Sequence, residues 1–115
     1  MADESLRPIV ETFSREHSGV WEAYNRLGVA SAIAGPLDKK AERLVKLAIA
    51  VGGGLEGAVR SHVRRGLAAG LSRQEMEHVA ILGITTVGWP TALAAYSWIA
   101  DEFEQVVEGK DSKEA

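Results

Sequence analysis

Residues 52–70 read G-G-G-L-E-G-A-V-R-S-H-V-R-R-G-L-A-A-G, with glycine marking both ends. Between the glycines, Leu55, Ala58, Val59, His62, Val63, Gly66 and Leu67 recur at the i, i+3, i+4, i+7 spacing that lines one face of an α-helix. The opposite face carries Glu56, Arg60, Arg64 and Arg65, and Glu56 stands four residues before Arg60, the order that stabilises a helix. One residue breaks the amphipathic pattern: His62 lies on the apolar stripe.

The neighbouring segments repeat the same period. Before the glycine triplet, Asp38 can cap a helix that runs to about Val51, amphipathic through Ala41, Leu44, Val45 and Ala48. Its later part, L-A-I-A-V, is apolar on every side and is expected to be deeply buried. Gly52, Gly53 and Gly54 then supply a left-handed cap and a tight reversal, so two helices form a hairpin over Ala41–Val51 and Leu55–Ala69. Ser72-Arg73-Gln74-Glu75 is a capping box. It opens a helix with Met76, Val79, Ala80 and Gly83 on one stripe and Ile81, Leu82 and Ile84 outside it. Gly88-Trp89-Pro90 breaks that helix, and Pro90 suits the first turn of the next, whose stripe is Ala92, Tyr96, Ile99, Phe103 and Val106. Residues 109–115 are short and charged and are expected to fray.

Towards the N-terminus, Leu6, Ile9, Val10 and Phe13 form a short stripe, and Val20, Trp21, Tyr24 and Leu27 resume it after Ser18-Gly19. Gly35-Pro36 ends this arm with a turn. No segment alternates with period two for any length. The fold class is therefore all-α, with five or six helices around a central helical hairpin.

At 115 residues the chain is read as one domain, 1–115, able to bury about two thirds of its unfolded surface. Its net charge of -3 argues against a nucleic-acid partner. No apolar run is long enough for a bilayer, so no membrane partner is expected. The opening M-A-D-E-S-L-R-P has no apolar core and does not read as a signal peptide, so a cytoplasmic protein is expected. The chain has no cysteine, which excludes disulfides, thiolate metal sites and thiol nucleophiles. His17, His62 and His78 form neither H-x-x-x-H nor H-x-E, so no metal site is expected. The glycine triplet lacks the strand before it and the G-K-S/T after it that a phosphate loop needs. No cofactor is expected.

His62 has two readings. It is a core or interface histidine with both nitrogens hydrogen-bonded, or a general acid or ligand donor in a pocket. Glu56 and Arg60 are a solvated pair, or Arg60 holds a substrate carboxylate with its planar fork. Arg43 and Lys46 serve the same purpose if their helix face meets the His62 helix. His17 and His78 read as surface residues. Helices apolar on all sides are too many for so small an interior, which points to an obligate homo-oligomer.

The order L-D-K-K-A-E-R-L-V-K-L-A-I-A-V, then glycines, then R-S-H-V-R, then G-L-S-R-Q-E-M, then G-W-P-T-A-L-A-A-Y resembles the carboxymuconolactone decarboxylase and alkylhydroperoxidase D superfamily, from roughly Leu37 to Phe103. The resemblance implies an alkylhydroperoxidase D-like helical fold and dimers built into trimers or hexamers. In the superfamily's peroxidase branch a C-x-x-C pair is followed four residues later by histidine. Here those positions are Leu55, Ala58 and His62, and the glutamate of the peroxidase relay falls on Arg43 with Glu42 beside it. Without thiols, thiol peroxidase activity is not expected. The decarboxylase branch is similar at Glu56, Arg60 and His62, although a second acid near position 58 is replaced by Ala58. The resemblance implies a pocket near His62 for a small carboxylated molecule, with His62 and Glu56 catalytic, Arg60 and Arg43 substrate-binding, and carbon–carbon lyase chemistry. The alternative is a non-catalytic ligand-binding or assembly protein on the same scaffold.

Overall fold

The structure is a computed structural model that describes the backbone of residues 2–114 and the side chains of residues 8–106. It contains six helices: α1 (Ala2–Glu16), α2 (Ser18–Ala32), α3 (Lys39–Gly52), α4 (Glu56–Ala68), α5 (Arg73–Val87) and α6 (Trp89–Glu114). No strand occurs among the described residues. The expected stripe residue Leu6 and the side chains of 109–115 lie outside the described residues. The chain divides into two compact units, Met1–Asp38 and Lys39–Ala115.

The first unit is a pair of helices that meet at His17, one residue before the expected break. Its amide still donates to Phe13 O at 2.8 Å, and its ring lies 5.1 Å from that of Phe13. On α2, Trp21 and Tyr24 stack at 5.9 Å. None of the described side chains of this unit is buried. Val20, Tyr24, Leu27 and Ile33 are all exposed, Ile33 by 78%.

The second unit holds the core. The α3–α4 hairpin turns through Gly54, whose φ of 64° is the left-handed conformation that the glycine triplet was expected to supply. The amides of Gly53, Gly54 and Leu55 return to Ile49, Val51 and Ala50 carbonyls, so the end of α3 is capped by backbone alone. Leu47, Ala50 and Val51 of α3 pack with Val59 and Val63 of α4, Met76 and Ala80 of α5, and Ala95 and Ile99 of α6. The capping box forms as expected: Ser72 Oγ accepts from Glu75 N at 3.0 Å, and Ser72 N donates to Glu75 Oε1 at 2.9 Å.

Two details depart from the sequence reading, and a third, a close contact at Gly66, was not legible in it. The L-A-I-A-V segment is not buried all round, because Ile49 is 68% exposed and Ala48 faces outward beside it. The buried line of α6 runs Ala92, Ala95, Ile99, Glu102, so Tyr96 and Phe103 flank it and Val106 is exposed. Gly66 leaves no open space: a Cβ there would lie 2.9 Å from Met76 Sδ and 3.0 Å from Leu71 Cδ1. That glycine lets α5 approach α4, and the room beside it is filled by core rather than by a ligand site.

Candidate functional site

The polar residues of α4 separate onto two flanks. Arg60 and Arg64, four apart, face α6. Arg60 donates from Nη1 to Asp101 Oδ2 at 2.6 Å and to Glu102 Oε2 at 2.8 Å, and from Nε to Glu56 Oε2 at 3.1 Å. Arg64 Nη1 donates to the other Glu102 oxygen. Glu102 is 1% exposed, so this carboxylate is a buried anion held by two guanidinium groups. Burial works against the charge of Arg60, but the hydrogen bonds of Asp101, Glu102 and Glu56 outweigh it and move its pKa upward. Asp101 is held below the usual carboxylate range, chiefly by its bond from Arg60.

His62 stands on the other flank, because residues two apart on a helix do not face each other. It is half-buried, and its Nδ1 is buried with no hydrogen-bond partner among the described residues. Burial lowers its pKa, and the charges of Arg65, Arg43 and Lys46 lower it further. Glu42, on the preceding helix, does not supply that partner. It stands 3.8 Å from Arg43 Nη2 and 3.7 Å from Lys46 Nζ instead.

Arg43 is the most constrained residue here. It is 8% exposed, its Nε has no partner among the described residues, and its ion pair with Glu42 is too long for a hydrogen bond. Beside it opens a depression of about 390 Å³, lined by Lys39, Glu42 and Arg43 of α3 and by Arg65, Ala68 and Ala69 at the end of α4. Three cations thus face one carboxylate. His62 lies next to this lining rather than in it. A second depression, of about 290 Å³ and apolar, lies between α5 and α6 along Ile81, Ile84, Trp89, Leu93 and Tyr96.

The structure therefore brings together two of the four site residues read from the sequence, His62 and Arg43, and gathers Glu56 and Arg60 on the other flank. Lys39, Arg65 and Glu102 were missed. Glu102 carried a readable signal: with Ala92, Ala95 and Ile99 it follows the helical period, so it is an acid on a buried stripe, the same anomaly as His62. Among the described residues no group of three or more His, Asp or Glu is placed to hold a metal ion.

Residues 19–101 match the carboxymuconolactone decarboxylase family. The chain belongs to that family. A crystal structure of an apo carboxymuconolactone decarboxylase family protein from Legionella pneumophila has the same fold, with a TM-score of 0.78 at 20% identity over 90% of this chain and 92% of that one. No curated protein matches the sequence closely enough to count as a relative. Within the carboxymuconolactone decarboxylase family, the present chain is a cysteine-free member. Leu55, 54% exposed, and Ala58 occupy the positions read above as those of the peroxidase thiols. No described helix is long and apolar enough to cross a membrane.

Proposed function

We propose that this carboxymuconolactone decarboxylase family member binds a small carboxylated molecule in the depression between α3 and α4, with Arg43 as its principal anchor and His62 beside it. The observation that carries this reading is Arg43, 8% exposed, whose Nε is buried with no hydrogen-bond partner among the described residues and whose Nη2 reaches Glu42 only at 3.8 Å. A buried donor left unpaired costs about 1–3 kcal/mol, more when charged, and buried arginines are ordinarily paired. A planar carboxylate offers the two acceptors that the fork of Arg43 lacks. Lys39 and Arg65 add attraction at the rim. Glu56 and Arg60 act in this reading as positioning residues, holding α4 on α6 so that His62 faces the hairpin.

Decarboxylase-type lyase chemistry suits such a site. As the carbon–carbon bond to a carboxylate breaks, carbon dioxide leaves, the electron pair stays on carbon, and a protonated imidazole delivers the proton that completes the product. One feature favours the alternative of binding without turnover: burial and the charges of Arg65, Arg43 and Lys46 make His62 hold a proton less readily than an ordinary imidazole. The experiment is thermal protection by a panel of small mono- and dicarboxylates, for the wild type and Arg43→Gln, followed by assay of carbon dioxide release from protective ligands. Protection lost in the variant supports the site. Absence of protection by every carboxylate refutes it.

We further infer a homo-oligomer, built on trimers. Val45 and Ile49 lie one turn apart on α3 and are 43% and 68% exposed, and the apolar groove of α5 and α6 is uncovered. Contiguous apolar surface of this kind marks an interface. Light scattering at micromolar concentration that reports a monomer contradicts it.

A further inference from the structure

Building on the anion site read above, we propose that it takes up its oxyanion and a proton together, with His62 as the proton acceptor. His62 Nδ1 is buried without a partner among the described residues, and the neighbouring depression is lined by Lys39, Arg43 and Arg65. Arg65 lies one turn on along α4, and α3 contributes Arg43 and Lys46. Glu42, the acid that lines the same depression, is engaged at ion-pair distance with Arg43 and Lys46. The acids of the other packed helices are turned elsewhere. Glu75 of α5 meets Lys40 at 2.5 Å and Glu77 meets Arg73, while Asp101 and Glu102 of α6 are held by Arg60 and Arg64. A proton on His62 therefore adds one more cation to a cluster in which Arg43, Lys46 and Arg65 share the single carboxylate of Glu42.

An oxyanion among Lys39, Arg43 and Arg65 reverses that field. Its negative charge offsets the repulsion that keeps the imidazole neutral, so it favours the protonated form. Linkage makes the effect reciprocal: whatever factor the anion adds to proton affinity, the proton adds to anion affinity. The binding step itself breaks no covalent bond. One proton moves from water or buffer to the imidazole, and one anion enters from solution. Affinity then rises as pH falls, by at most tenfold per pH unit for one proton, between the pKa of His62 in the complex and its lower value in the free protein.

The test uses inorganic sulfate, whose charge is constant across the range, titrated calorimetrically into the full chain from about pH 8 to about pH 5.5, the range in which an imidazole titrates. The measurement is repeated in buffers of different ionisation enthalpy, so proton uptake is read on the wild type without any substitution. The expected result is affinity that climbs several-fold towards acid pH with net proton uptake. His62→Gln should bind sulfate with little pH dependence, and Arg43→Gln should lose binding throughout. Sulfate binding with no proton uptake overturns the linkage and leaves the anion site standing. No binding by the wild type at any pH overturns both.

Discussion

Glu102 accepts a hydrogen bond from Arg60 at 2.8 Å while only 1% exposed, across a sequence separation of 42 residues. With Arg64 on its second oxygen, this carboxylate is the electrostatic joint between α4 and α6. Glu102→Ala should destabilise the fold by about 3 kcal/mol, because breaking a buried ion pair strands charge that burial no longer tolerates. Urea denaturation measures it. A loss within the scatter of ordinary surface substitutions would show that water reaches the two arginines freely.

Gly66→Ala sets two effects against each other. Alanine gains about 1 kcal/mol of helix propensity over glycine. Its Cβ would also press on Met76 and Leu71, both buried, at 2.9 and 3.0 Å. Overpacking a tight core costs about 1–3 kcal/mol. The expected net is a destabilisation of about 1 kcal/mol, and a raised Tm would mean that the Met76 chain yields more easily than its packing implies.

Arg43→Met should do the opposite to stability. It removes a buried, poorly compensated charge and keeps an apolar stem of similar reach. The ligand-free protein should gain about 1 kcal/mol, while protection by carboxylates disappears. Stability and binding moving in the same direction would show that Arg43 is paired in solution.

The pH dependence of folding follows from the lowered pKa of His62. In the unfolded chain the imidazole returns to its ordinary value near 6.5, so it binds a proton there before the folded state does. Below that pH the unfolded state holds more protons, and the His62 contribution turns against folding until the pH passes the folded pKa. Stability of the ligand-free wild type should therefore decline from about pH 6.5 downward more steeply than that of His62→Gln. Parallel curves would remove the cationic field from around the ring.

The helices and their ends were legible because they depend on local chemistry. The period over 52–70, the glycine reversal and the Ser72 capping box each need only neighbouring residues. The sorting of arginines was not legible. Arg60, Arg64 and Arg65 stand within six residues of one another on what reads as a polar face. Which of them meets a carboxylate depends on where α6 crosses, and the acids that decide it lie about forty residues further on. Ile49 was misjudged for a related reason. An apolar residue can be kept for a surface that the single chain does not cover, and periodicity cannot tell that surface from core. His62 stood out because an imidazole on an apolar stripe is conspicuous, but two of the three cations that lower its pKa, Arg43 and Lys46, come from another helix.

The first two helices, each 15 residues long, bury no described side chain. Helices of that length are marginal in water by themselves and take most of their stability from what covers them. The helicity of this arm is therefore set by the solution as well as by the sequence. Diluting the protein until nothing rests against Tyr24, Leu27 and Ile33 should melt residues 2–32 before the hairpin core loosens. On the homo-oligomer proposed above, a circular-dichroism spectrum of this chain should carry a concentration dependence, and comparisons between preparations would hold only at matched concentration.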